Sequence, residues 1–322
     1  MTDRPKAASA KIQQLDAIAR DPEQLLDEPT SVWRLILRRF LSRKISIAGM
    51  ILVGMMTLVA IFAPVIAPYD PYEVLIGKED VSRFEAPCVH LLGCDPANPQ
   101  HILGVDGNVR DQFSRIIYGS RVSLTLGIST VTIAILIGAT IGAVAGYAAG
   151  WVDNLLMRIM DVVLGFPGFL LAIAIVAALG PGLRNTLIAL AIVTIPQYAR
   201  VMRASVLSIK DIDYVAASRA LGASSTRILL TRIAPNAITP LIVLGTLGIA
   251  SAILEAAGLG FLGLGAQPPQ AEWGTMLAAN RNRVFSDPHL VFFPGLAIMI
   301  TVLGFNLMGD GLRDAMDPTL ND

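Results

Sequence analysis

Long apolar runs recur along the chain beyond residue 44, separated by polar stretches. A helix needs about 20 mostly apolar residues to cross the hydrocarbon core of a bilayer, and about six runs approach that length. We therefore predict membrane-spanning helices over residues 45–67, 122–147, 164–179, 187–206, 237–264 and 291–308.

The third run is the shortest, and it opens with Gly165, Phe166, Pro167 and Gly168. Because Gly and Pro interrupt helices, this run is the weakest of the candidate spans. An alternative start for the span lies within the preceding amphipathic stretch, residues 151–163.

Composition supports a membrane protein. The 322 residues are 54% hydrophobic and 16% charged, with a mean hydropathy of +0.61, whereas soluble domains carry about 25% charged residues. The first apolar run begins too far from the start and is too long for a cleaved signal peptide, so we expect it to be retained. The 25 basic and 25 acidic residues cancel, so no overall charge favours a nucleic-acid partner.

Basic residues set the expected orientation, because Lys and Arg accumulate on the cytoplasmic side. A basic cluster precedes the first span, which places the N-terminus in the cytoplasm, and six crossings then return residues 210–232 and the C-terminus to that side. Arg110, Arg115 and Arg121 would be external and run against the rule, so the orientation rests mainly on the N-terminal cluster: Arg34, Arg38, Arg39, Arg43 and Lys44.

We expect an all-α integral membrane protein with an external segment after its first transmembrane helix. In residues 30–44, apolar side chains alternate with arginines. This pattern is compatible either with a helix that lies on the membrane surface or with a continuation of the first span. The predicted parts are a cytoplasmic leader and surface helix (1–44), the first span (45–68), the external segment (69–119), a five-helix core (120–314) with a cytoplasmic loop (207–235), and a cytoplasmic tail (315–322).

The cysteine and histidine residues do not indicate a catalytic or metal-binding site. Cys88 and Cys94 lie in the external segment, where either a disulfide or two free thiols is compatible with the sequence. His90, His101 and His289 show no metal-ligand spacing, and we expect no metal site.

The cytoplasmic loop is the most informative stretch. Asp213 is suited to cap a short helix, and Gly222 is suited to the left-handed position that ends one, so we predict a second helix over about residues 226–235. A face of small side chains suits docking into a groove on a soluble partner, although packing on the protein's own helices is the alternative. That face carries Ala216, Ala220 and Ala223.

Residues 213–236 resemble the EAA loop of ABC importer permeases, which has Glu-Ala-Ala before a Gly and Ile-x-Pro further on. The sequence departs from that pattern at Ala216, where the family usually has Glu, and at Ser218, where it has Ala. The resemblance implies an ATPase-coupling loop that includes Asp213, Ala216, Ala217, Ser218, Arg219, Gly222, Ile233 and Pro235.

Three further stretches, within residues 101–124, 262–277 and 293–314, resemble the peptide and nickel branch of those permeases. The long external segment and the pair Asp317-Pro318 are similar to its second permease subunit.

This resemblance implies half of a translocation pathway in an inner membrane importer for di- or oligopeptides. The implied partners are a sister permease, two ATPase subunits that bind ATP and Mg, and an external solute-binding protein. We expect no cofactor and no enzymatic activity in this chain, which lacks a Gly-rich phosphate loop ending in Gly-Lys-Ser or Gly-Lys-Thr. The alternatives are nickel or another small solute in the same importer class, or a secondary transporter or channel.

Polar residues within the spans are the remaining candidates, because a charge at the bilayer centre costs about 3 kcal/mol. Glu255 either lines the pathway or, as we favour, forms an interhelical tie. Asn306 and Asp310, near the internal end of the sixth span, are equally compatible with gating the pathway and with capping the helix. Arg158 and Asp161 are three residues apart, so they could pair on one helix face. Close helix packing is expected at small residues, namely Gly127, Gly138, Gly142, Gly146, Gly245 and Gly248.

Overall fold

The computed structural model describes residues 32–316 of the chain. The polar leader up to residue 31, and residues 317–322 with the Asp317-Pro318 pair, lie outside the described residues. Within residues 32–316 the regular structure is helical, apart from two isolated β-bridges.

Five helices are long and apolar enough to cross a membrane, and a bent pair of helices provides a sixth crossing if the pair counts as one span. This helical architecture confirms the predicted fold class. The five helices are α2 (Lys44–Ile61), α4 (Gln112–Ala148), α7 (Leu183–Ile209), α11 (Thr239–Phe261) and α13 (His289–Met316).

The bent pair consists of α5 (Gly150–Leu164) and α6 (Gly168–Leu179), which meet at an angle of 87°. The bend falls at the sequence Gly165-Phe166-Pro167, where Pro167 cannot donate a backbone hydrogen bond. The third predicted span is therefore the second half of a broken element, and the amphipathic stretch before it is a separate helix.

The N-terminal part packs against the last helix. Helix α1 (Val32–Ser42) is separated from α2 by Arg43, whose backbone is extended, so α1 is not a continuation of the first span. Arg43 forms an ion pair with Asp314 near the end of α13. Gly49 allows the backbones of α2 and α13 to touch, because a Cβ there would meet Met308 N at 2.4 Å.

After α2 and the short helix α3 (Ala63–Ile66), residues 67–111 form a cap segment that packs on the start of α4. Its own small core contains Leu75, Val105 and Val109. The amide of Tyr69 donates to Ser114 Oγ at 3.1 Å, which joins the segment to α4. In this segment, Cys88 and Cys94 are joined by a disulfide, with their Cα atoms 5.4 Å apart.

Candidate functional site: the α7–α11 hairpin

The loop singled out by the sequence is a compact helical hairpin, residues 210–238, between two membrane-spanning helices. Its order is α8 (Asp213–Ala220), a turn at Gly222, α9 (Ser225–Ile228), a π-helical turn (Leu229–Ile233) and α10 (Ala234–Ala237).

The predicted capping residues need correction. Ile212 occupies the N-cap position of α8, and Asp213 is the first helical residue, where its side chain makes no capping hydrogen bond. Its carboxylate still lies at the helix N-terminus, where a negative charge is favourable. The second helix begins at Ser225, and Ser224 is its N-cap, accepting a hydrogen bond from Arg227 N at 3.4 Å.

The turn between α8 and α9 depends on Gly222, whose φ is +81°. The amide of Gly222 donates to Arg219 O at 3.0 Å, and the amide of Ala223 donates to Ser218 O at 3.2 Å. These bonds satisfy carbonyls at the end of α8, as expected for a helix that ends at a left-handed residue. The predicted role of Gly222 in the bend therefore has a direct geometric basis.

One side of the hairpin is buried in the bundle. Val215, Ile228 and Ile233 are each no more than 1% exposed. They form one apolar core with Met202 and Val206 of α7, and Leu241 of α11 and Ala143 of α4 belong to the same core. The hairpin is thus packed rigidly onto three membrane-spanning helices.

The opposite side of the hairpin is exposed and carries most of the residues of the implied coupling loop. Leu221 at the tip is 88% exposed. Ala223 is half-buried, so the predicted small-residue face is only partly open, and Ser218 is half-buried as well. The exposed members of the loop are Asp213, Ala216, Ala217, Arg219, Ala220, Gly222 and Pro235.

A groove of about 250 Å³ lies between the two arms of the hairpin. Leu221, Gly222 and Ala223 line it at the turn, and Arg227 and Arg232 line it on the second arm. The lining combines an apolar tip with two guanidinium groups, so the groove suits a partner surface that presents apolar and acidic side chains.

Tyr214 and Asn236, which the sequence analysis did not single out, hold the arms together. Tyr214 Oη donates to Arg232 O at 3.3 Å, and Asn236 Nδ2 donates to the same oxygen at 2.7 Å. Arg232 lies in the π-helical turn just before Pro235, which cannot donate a backbone hydrogen bond. Side chains therefore satisfy a carbonyl at the point where the regular helical pattern is broken.

Ion pairs also tie α5 to α7. Arg203 contacts Asp153 through two bonds of 2.5 and 2.6 Å. Asp161 pairs with Arg200 at 2.6 Å, and not with Arg158 as its spacing suggested. The basic partner of Asp161 therefore lies across the helix interface, where α5 and α7 come together.

Three polar residues predicted within the spans, Glu255, Asn306 and Asp310, form no side-chain hydrogen bond or ion pair with another residue in the range 32–316. Glu255 is half-buried, and no residue within 32–316 forms a hydrogen bond or ion pair with it, so the favoured interhelical tie is absent from this range. Asn306 and Asp310 are exposed on α13. These three side chains therefore face lipid, an aqueous pathway or another subunit.

The sequence profile of the family described as binding-protein-dependent transport system inner membrane component matches residues 134–322, which contain most of the bundle and the whole hairpin. The chain belongs to this family. A second profile, the N-terminal TM domain of oligopeptide transport permease C, matches residues 31–87 of this inner membrane component.

Relatives of this inner membrane component extend over nearly the whole chain. The dipeptide transport system permease protein DppC of Alkalihalophilus pseudofirmus is 45% identical over 296 residues, 91% of this chain and 93% of that protein. The di/tripeptide transport system permease protein DppC of Pseudomonas aeruginosa is 44% identical over 308 residues, which are 95% of this chain and 98% of that protein. The glutathione transport system permease protein GsiD of Pectobacterium atrosepticum is 43% identical over 288 residues, which are 89% of this chain and 91% of that protein.

The fold of the inner membrane component is also found in a solved structure. An inward facing MetNI methionine ABC transporter contains a chain that superposes with a TM-score of 0.53 at 18% sequence identity, covering 64% of this chain and 98% of that one. The protein is therefore a multi-pass inner membrane transport permease with the fold of an ABC importer subunit.

Proposed function

We propose that this permease forms half of the translocation pathway of an ATP-driven importer for di- or oligopeptides. Three curated relatives that match about nine-tenths or more of the chain are named as transporters of dipeptides, di- and tripeptides, or glutathione, which is itself a peptide. The same importer class with nickel or another small solute is the alternative. No observation on the described residues favours a secondary transporter or channel.

The observation that carries the coupling role is the two-sided character of the hairpin. Its buried side shares a core with α4, α7 and α11, whereas its exposed side presents small residues, a groove and an exposed leucine tip. A push on the exposed side would pass into three spanning helices, because a close-packed core transmits displacement. ATP and Mg would be bound by the two ATPase subunits that dock here.

The proposed assembly has a definite sidedness. The hairpin and both termini face the cytoplasm, and the cap segment faces outward, where a solute-binding protein would deliver the ligand and the sister permease would complete the pathway. The arginines of α1 support this orientation. The disulfide at Cys88 and Cys94 supports it independently, because disulfides persist in oxidising compartments.

A substitution on the exposed face of α8 tests the docking role. Ala217 is exposed, so Ala217→Trp should leave the fold intact but keep a partner surface away from the helix. We expect the complete importer with Ala217→Trp to lose ATPase subunits on purification and to lose ATP-dependent peptide uptake in proteoliposomes. Ala217→Ser, which stays small, should behave as the wild type.

Normal uptake by the Trp variant would contradict the docking role. Uptake of peptide by this permease without nucleotide or ATPase subunits would instead identify a secondary transporter.

A further inference from the structure

A small polar cavity lies at the end of the bundle opposite the hairpin. It is bounded by the end of the cap segment, the start of α4 and helix α12 (Trp273–Asn280), and its volume is about 100 Å³. Helix α4 has 37 residues, so at about 1.5 Å per residue its two ends are about 55 Å apart. The cavity is therefore unrelated to the hairpin groove.

The single acidic side chain in this lining, Asp106, is already fully used. Its Oδ1 accepts from the amides of Asn108 at 2.8 Å and Arg110 at 3.0 Å. Its Oδ2 accepts from Arg110 Nε at 2.9 Å, and it forms ion pairs with Arg110 Nη2 at 2.8 Å and Arg115 Nε at 3.4 Å. A carboxylate has about four lone-pair sites, so Asp106 has no capacity left to bind a cation.

The two arginines, in contrast, have donors to spare. Arg115 Nη1 donates to Pro71 O at 2.8 Å and Pro269 O at 3.3 Å, and no residue within 32–316 accepts a hydrogen bond from Arg115 Nη2 or from Arg110 Nη1. Arg110 is 9% exposed and Arg115 is 5% exposed. Two guanidinium groups against one carboxylate leave one positive charge that the lining does not balance.

A second polar group in the lining also lacks a partner. Gln112 is 1% exposed, and its Nε2 donates to Leu290 O at 3.3 Å. Its Oε1 is buried without a hydrogen-bond donor among the described residues. A buried acceptor of this kind costs free energy unless a water or a ligand supplies the donor.

We propose that this cavity binds a carboxylate group during solute delivery. Arginine forks match the geometry of a carboxylate, and a single carboxylate would balance the unpaired charge. The volume admits a carboxylate with a short stem but not a whole peptide, so the group must belong to a larger ligand. That ligand is either the C-terminus of the transported peptide, which rests on the proposed function, or an acidic side chain of the protein that delivers it.

The test uses an exposed position, because Arg115 also holds two loop carbonyls and its loss would disturb the fold. Ala279 is exposed and lines the cavity. Ala279→Glu should place a carboxylate beside the arginines and exclude an added one, whereas Ala279→Gln has the same size without the charge. Thermal unfolding of the complete importer in nanodiscs would be followed in acetate and, at the same ionic strength, in acetamide.

We expect acetate but not acetamide to raise the melting temperature of the wild type and of Ala279→Gln, with loss of that rise in Ala279→Glu. No acetate effect in the wild type, or an equal effect in both variants, would mean that acetate does not bind in the cavity and would overturn the proposal. These measurements need no transport, so they fail or succeed independently of the proposed function.

Two further assays identify the source of the carboxylate. If it is the peptide terminus, Ala279→Glu should raise the KM for a free-acid peptide severalfold and leave uptake of the C-terminal amide unchanged. If it belongs to the delivering protein, Ala279→Glu should weaken binding of that protein and reduce uptake of both peptides alike. No change in either assay would overturn a role in delivery.

Discussion

At the scale of single residues, His101 contacts two carboxylates of the cap segment through both of its ring nitrogens. Nδ1 lies 2.9 Å from Asp111 Oδ1, and Nε2 lies 3.2 Å from Glu79 Oε2. Burial lowers the pKa of His101, but the hydrogen bonds and negative charges of Asp111 and Glu79 outweigh this effect, so the net pKa lies above its usual value of 6.5. Asp111 also caps α4, so the histidine connects the segment to a helix end.

The raised pKa predicts a pH-dependent stability. Because the folded pKa exceeds the unfolded one, the stabilisation is fully present below about pH 6.5 and is lost as pH rises through the folded pKa. The melting temperature of the wild-type importer should therefore exceed that of His101→Gln most at about pH 6, and the difference should shrink towards about pH 9. Glu79→Gln should move this loss to lower pH.

A difference between the wild type and His101→Gln that stays constant over this pH range would show that folding does not raise the pKa of His101.

Of the residue-level predictions, the one that depends on backbone conformation at Gly222 was correct, whereas the pairing predicted for Asp161 depends on a tertiary partner and was wrong. Gly222 was identified because a left-handed turn has few alternatives in sequence. The partner of Asp161 was wrong because spacing along one helix gives no information about Arg200 on another. Leu221, Tyr214 and Asn236 were missed because their importance comes from exposure or from contacts across the hairpin.

At the scale of helices, the contact between α4 and α7 depends on a row of glycines. A Cβ at Gly142 would meet Ala199 O at 2.2 Å, and one at Gly138 would meet Ile195 O at 2.7 Å. The predicted Gly-x-x-x-Gly packing therefore has a specific partner helix. Between helices in lipid, such close approach replaces the hydrophobic drive that is absent there.

Adding one methyl group should separate these helices. Gly142→Ala should destabilise the permease by about 1–3 kcal/mol, the usual cost of overpacking, although Ala favours helix formation. Gly54→Ala in α2 is the matched control, because no atom lies within 4 Å of its added Cβ, and its stability should be unchanged or higher. Thermal unfolding of both variants measures the contrast; equal melting temperatures would contradict the predicted contact.

The limits of the helices show what hydropathy can and cannot reveal. The predicted second span began at residue 122, but α4 begins ten residues earlier, at Gln112. Hydropathy missed these first turns because they carry polar residues that contact the cap segment. An apolar run marks the part of a helix in lipid and not its full length. The 87° bend between α5 and α6 was suggested by Gly and Pro, but its angle depends on packing.

At the scale of the whole molecule, two exposed features lie at opposite ends of the bundle. The hairpin lies at the end where α7 finishes, and Lys210 there donates to Gly146 O near the end of α4 at 3.3 Å. The cap segment lies at the start of α4. A permease coupled to ATPases through the hairpin and to a delivering protein through the cap segment requires these ends to face different compartments.

Labelling of single cysteines tests this sidedness. Leu221 is 88% exposed at the hairpin tip, and Ile76 is 62% exposed in the cap segment, so each tolerates a cysteine without loss of packing. An impermeant maleimide should label Leu221→Cys only in inside-out vesicles and Ile76→Cys only in right-side-out spheroplasts. The native cysteines are paired in a disulfide and should remain unlabelled under non-reducing conditions. The reverse pattern would place the hairpin outside the cytoplasm, where no nucleotide-driven ATPase could act on it.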